Sequence, residues 1–125
     1  MTEQSAERTR PTGSPGAFWV YIAVAVIGLA GTAWFNVRSI IEPSEQTFFA
    51  AWFANPSVSS LSWDLLAVAS AASIFIILEG RRLGIRWYWA YVVFSFVTAV
   101  AFTFPLFLAV RERRMQALAN APEAP

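Results

Sequence analysis

Residues 18 to 35 read FWVYIAVAVIGLAGTAWF, a run of 18 without a single charge. As a helix it rises about 27 Å, close to the thickness of a bilayer's hydrocarbon core. Phe18, Trp19 and Tyr21 stand at one end, Trp34 and Phe35 at the other, the aromatic belts expected of a membrane span. Ala25, Gly28 and Thr32 recur at helical spacing, followed by Asn36. Such a small-residue stripe lets helices approach closely. A secretory signal would have a shorter apolar run and a small-residue cleavage site, so the run is read as a retained span.

Two more runs follow. Residues 61 to 78, LSWDLLAVASAASIFIIL, carry one charge, Asp64, near the start. Residues 87 to 110, WYWAYVVFSFVTAVAFTFPLFLAV, exceed the spanning minimum and contain Pro105, which predicts a bend near Ala101. Thr98 or Thr103 is expected to help satisfy the carbonyl this proline frees. The expected architecture is an all-α integral membrane protein with three transmembrane helices. Residues 1–15 and 115–125 read as disordered tails around a domain at 16–114.

Composition agrees. Charged residues make up 14% and hydrophobic residues 57%, with mean hydropathy +0.50. Soluble domains carry about 25% charged residues. A net charge of +1 argues against a nucleic-acid partner, since neutralising phosphates takes a cluster of cations. The chain has no Cys, no His, and only Arg among its nine basic residues. This removes thiol nucleophiles, disulfides, imidazole acid–base chemistry and lysine Schiff bases. No cofactor and no metal are expected, and no enzyme activity.

Between the first two spans lies PSEQTFFAAWFANP, residues 43–56. Pro43 suits a first helical turn and Asn55-Pro56 ends one. At about 100° per residue Phe48, Phe49, Trp52 and Phe53 share a face. A short interfacial helix over 44–54 is predicted, too short to span. A re-entrant helix or an aromatic ligand box are the other readings of this stretch.

Asp64 is the leading polar candidate, because a carboxylate near the start of a span needs water or a partner. Ala67, Val68, Ala71 and Phe75 share its face, which suggests packing against another helix. With three spans, Asn36, Arg38, Arg111 and Arg113 fall on its side of the membrane, so Asn36, Arg38, Asp64 and Arg111 form a candidate polar cluster. A plain ion pair, proton or substrate handling, and exposure to interfacial water are the alternatives. Glu79, Arg81, Arg82 and Arg86 mark a tight turn on the other side, made possible by Gly80 and Gly84. There they would contact lipid headgroups or a partner. Glu79 lies about 22 Å along the helix from Asp64, too far for a catalytic carboxylate pair. Three spans place Arg8, Arg10, Arg81, Arg82 and Arg86 on one side and Arg38, Arg111, Arg113 and Arg114 on the other. That balance barely sets an orientation. The acidic first linker favours a cytoplasmic N-terminus and an external C-terminus.

FANPSVSSLSWDLL, EGRRLGIRW and AFTFPLFLAVRERR, in this order, resemble the bacterial membrane family known as domain of unknown function 2834. The matching residues are Phe53, Asn55, Asp64, Glu79, Gly80, Arg81, Arg82, Leu83, Pro105, Leu106, Phe107, Leu108, Arg111 and Glu112. The stretch GTAWFN departs from the family pattern, which carries a proline there. The resemblance implies about three membrane helices and no assigned activity.

The expected function is that of a non-catalytic accessory or scaffold protein of the bacterial inner membrane. It would bind lipid, a hydrophobic ligand or a membrane partner, as a homo-oligomer or within a larger complex. The alternative is an oligomeric transporter or channel subunit with Asp64 in a polar path.

Overall fold

The computed structural model describes residues 13–42 and 45–122. Every regular element among them is helical: α1 Pro15–Ile41, α2 Phe48–Ala51, α3 Pro56–Arg82, α4 Tyr88–Val97 and α5 Val100–Ala119. The local starts are encoded in the sequence. The Ser14 hydroxyl accepts the Ala17 N–H ahead of Pro15, and the Asn55 side chain accepts the Val58 N–H ahead of Pro56. A capping side chain followed by proline at the first helical position is a strong helix start. Both long helices therefore overrun the apolar stretches within them. α3 begins at Pro56 rather than Leu61, and α1 carries Asn36 and Arg38 on its last turns instead of in a linker.

α1 and α3 each have 27 residues, with mean hydropathies of 1.9 and 2.0 over their most apolar windows. Each is long and apolar enough to cross a membrane. The third run is not one helix. It breaks at Thr98–Ala99, where Ala99 adopts φ 150°, ψ 151°, and the chain reverses. Tyr91 on α4 meets Phe107 on α5 edge to face at 5.5 Å. Ser95 and Thr103 share a hydroxyl hydrogen bond of 2.6 Å. This pairing makes α4 and α5 an antiparallel hairpin, in place of the bent third span expected from the sequence. α4, with 10 residues, is about 15 Å long, half the thickness of a hydrocarbon core.

Hydroxyls surround the reversal. Thr98 donates its hydroxyl to the Phe94 carbonyl beside its own N–H, and the Ser95 and Thr103 hydroxyls lie against the Tyr91 and Ala99 carbonyls and against each other. Such back-bonds bend a helix. Neither threonine serves the Ala101 carbonyl that Pro105 leaves free. That oxygen lies against Gly28, where any Cβ would overlap it. The small stripe of α1 is thus the seam against α5: Ala25 is buried, Thr32 is half-buried, and Gly28 meets the hairpin near its tip.

α5 returns antiparallel to α1. The Ser14 N–H donates to a Glu112 carboxylate oxygen at 2.8 Å, and Arg113 covers the Phe18 ring at 4.3 Å. The start of α1, the end of α3 and the end of α5 therefore share one end of the molecule. The C-terminal segment, expected on the opposite side from the N-terminal one, returns beside the start of α1. It is helical as far as Ala119, with Met115 buried, rather than disordered from residue 115.

The linker helix is shorter than predicted. α2 covers Phe48–Ala51, capped by the Thr47 hydroxyl, and then loosens into turns through Ala54. Pro43 and Ser44, at its expected start, lie outside the described residues. Phe48, Phe49 and Trp52 form a ring cluster, with Phe48, Phe49 and Phe53 exposed.

Candidate functional site

The buried face of α3 reads Ala72, Ile76, Glu79, Gly80, then Leu83 at its cap. These residues recur at the three-and-four spacing of one helix face. Glu79 therefore points inward, not towards lipid headgroups. One of its oxygens accepts the Arg111 Nε–H at 2.8 Å, and the other accepts from Arg82 at 3.3 Å. Arg111 also reaches Glu112 at 3.4 Å and sits 5.9 Å over the Phe75 ring. The second oxygen of Glu112 accepts the Ser14 N–H. One guanidinium thus holds two carboxylates with side chains only 10% and 8% exposed, tying α1, α3 and α5 together. A little further out, the Arg114 Nε–H donates to the Leu83 carbonyl at 3.0 Å, satisfying the acceptor at the cap of α3.

The candidate cluster of Asn36, Arg38, Asp64 and Arg111 does not assemble. Arg38 pairs with Glu42 one turn on, both exposed. Asp64 is exposed and has no hydrogen-bond or ion-pair partner among the described residues, and Ala67, Val68 and Ala71 beside it are exposed too. Asn36 is exposed on α1. Arg111 lies some 22 Å along α3 from Asp64, at the level of Glu79. The reason is the hairpin: α5 runs back, so its charged end returns to Glu79 instead of crossing to Asp64.

In the second candidate group, Glu79 and Arg82 are paired while Arg81 and Arg86 are exposed. The turn uses its two glycines differently. Gly84 takes φ +64°, which favours glycine. Gly80 is inside α3, and a Cβ there would strike Tyr88.

Sequence reasoning missed the Glu79–Arg111–Glu112 network. The signal was available in the 72, 76, 79, 80, 83 periodicity, which marks Glu79 as inward-facing. It was outweighed by reading the third run as a single span.

Reversal also sorts the charges. Arg81, Arg82, Arg86, Arg111, Arg113 and Arg114 gather at one end with Glu79 and Glu112. Arg38, Glu42, Glu45 and Asp64 remain towards the other. Among the described residues the first is the basic end and the second the acidic end.

The family model described as "Protein of unknown function DUF2834" matches residues 20–113. No curated protein and no solved structure matches the chain. The matched segment holds most of α1, all of α2, α3 and α4, and α5 as far as Arg113. On that extent the chain belongs to the DUF2834 family.

Proposed function

We propose that this chain is a non-catalytic integral membrane protein that binds lipid or a membrane partner at a basic cytoplasmic end. α1 and α3 cross the bilayer, and the α4–α5 hairpin enters it from the basic end and returns. The observation that carries this reading is the reversal at Ala99. It leaves Arg38 as the one described arginine away from the basic end. The positive-inside rule, nearly silent for three spans, then favours both termini in the cytoplasm. α1 and α3 place mostly apolar side chains outward, Trp19, Val20, Ile27, Leu61, Trp63 and Leu78 among them, as a lipid-facing surface requires.

Two features support a non-catalytic role. The chain has no His, Cys or Lys. Its two close carboxylates, Glu79 and Glu112, are both engaged by Arg111 and by further donors. They act as ties between helices, and breaking such a buried pair is costly.

Alkaline extraction of membranes checks the core of this reading. The chain should remain in the membrane pellet, and release into the supernatant would overturn it. A second reading, an oligomeric transport subunit, gains from Asp64 being exposed and unpaired among the described residues. Neighbouring copies could enclose it. If Asp64→Asn abolishes a flux measured in reconstituted vesicles while the fold is kept, that reading replaces the first.

A further inference from the structure

A half-open cavity of about 280 Å³ runs between α4 and α5, lined by Trp87, Tyr91, Phe94, Phe102, Thr103 and Leu106. Its wall is almost wholly apolar. The Thr103 hydroxyl is already committed to Ser95 and to the Ala99 carbonyl. Trp87 stands at one end and the hairpin tip at the other. The cavity therefore begins at the basic end and descends along α4 for about 10 Å.

The cations at that end are not equivalent. Arg82 and Arg111 are held by carboxylates, and Arg114 by the Leu83 carbonyl. Arg81, Arg86 and Arg113 are exposed and have no carboxylate partner among the described residues. Two of these three flank the groove. Arg86 immediately precedes Trp87. Arg113 continues the α5 face of Leu106 at helical spacing. The pairings of Tyr91 with Phe107 and of Ser95 with Thr103 make α4 and α5 antiparallel, so the start of α4 and the end of α5 lie at the same end of the groove. Arg113 also lies over the Phe18 ring of α1 at 4.3 Å.

We propose that this groove is a site for one anionic phospholipid. One acyl chain lies between α4 and α5, and its phosphate sits between Arg86 and Arg113. The site rests on the membrane reading above and deepens it. An apolar trough that opens at an end carrying two guanidinium groups without carboxylate partners matches a lipid with a negative headgroup. A zwitterionic lipid fills the trough equally well, but its ammonium group cancels much of the attraction at the rim.

The test is native mass spectrometry of the full chain in mixed micelles holding equal amounts of phosphatidylglycerol and phosphatidylcholine with identical acyl chains. The wild type should retain one phosphatidylglycerol per chain in preference to phosphatidylcholine. Arg86→Gln with Arg113→Gln should cut that preference by about tenfold or more, while Arg81→Gln leaves it unchanged. Leu106→Trp, which fills the trough, should lower retention of both lipids. Equal retention of the two lipids by the wild type would overturn the site, and so would a double variant that keeps the preference. A lipid-free dimer would assign the groove to a second copy instead. Protection by inorganic phosphate as strong as by phosphatidylglycerol would reduce the site to a bare phosphate site. Any of these results from a chain that still resists alkaline extraction sinks the lipid site alone. A chain that fails extraction sinks the membrane reading with it.

Discussion

The two ends of the molecule are built on different terms. At the basic end α1, α3 and the α4–α5 hairpin pack together, and nearly every buried residue lies there, from Ala25 and Ala72 through Ile76, Glu79, Thr103, Phe107, Glu112 and Met115. Towards the acidic end α1 and α3 continue past the hairpin tip with little to cover them. Ser62 is the one buried residue there among those described, held by its hydroxyl on the Trp52 carbonyl at 2.8 Å. The difference follows from the length of the hairpin. Its tip meets α1 at Gly28, near the middle, so the hairpin supports only about half of two helices of about 40 Å. In lipid such bare helix surface is not penalised as it is in water, because the acyl chains are as apolar as the side chains. What holds the packed half is close backbone approach, ring contacts and a buried ion-pair network.

That contrast can be broken most severely at Arg111. Replacing it with Ala leaves Glu79 and Glu112 buried without their shared cation. The loss should be about 3–5 kcal/mol, read from unfolding of the purified protein in mixed micelles. A cost below about 1 kcal/mol would remove the network from the account. Gly28 and Gly31 sharpen the comparison along one helix. A Cβ at Gly28 overlaps the Ala101 carbonyl, whereas Gly31 has nothing within 4 Å. Gly28→Ala should therefore destabilise by about 1–3 kcal/mol. Gly31→Ala should be neutral or stabilising by up to about 1 kcal/mol. Equal effects at the two positions would mean the α1–α5 seam is placed wrongly.

Ser62→Ala should cost about 1 kcal/mol, the usual worth of one hydrogen bond. Its effect should stay at the acidic end, loosening α2 and sparing the hairpin, as hydrogen exchange on the two segments can show. Asp64→Asn should change stability by no more than about 0.5 kcal/mol, since an exposed side chain without a partner loses little. A large loss there would restore the ion pair expected from the sequence.

Helix class, the two long apolar helices and the α1 seam were all legible in the residues. Phe18–Phe35 is charge-free, and Ala25 and Gly28 are small at contact spacing. Asn55-Pro56 could also have been read as the cap of α3, but the polar SVSS that follows masked its start. The reversal was harder to see. Residues 87–110 are apolar throughout, and hydropathy cannot distinguish one long helix from two short antiparallel ones. Pro105 marked the neighbourhood of the break, since it frees the Ala101 carbonyl. The turn falls at Ala99, which leaves the helical region, with the Ser95, Thr98 and Thr103 hydroxyls bonded to backbone carbonyls on either side of it. The misplaced polar cluster followed from that one error: a spanning third helix would carry Arg111 to Asp64, and a hairpin carries it to Glu79.

The reversal also places the C-terminal end of α5 beside the start of α1, and this can be measured directly. The chain has no native cysteine, so single cysteines report without background. Ser57→Cys, at the exposed start of α3, and Asn120→Cys, just past α5, should be treated with a membrane-impermeant maleimide on intact cells and again after lysis. The hairpin predicts that position 57 is labelled from outside and position 120 only after lysis. Labelling of both positions on the same side, with the N-terminus on the other, would contradict it and restore a third span.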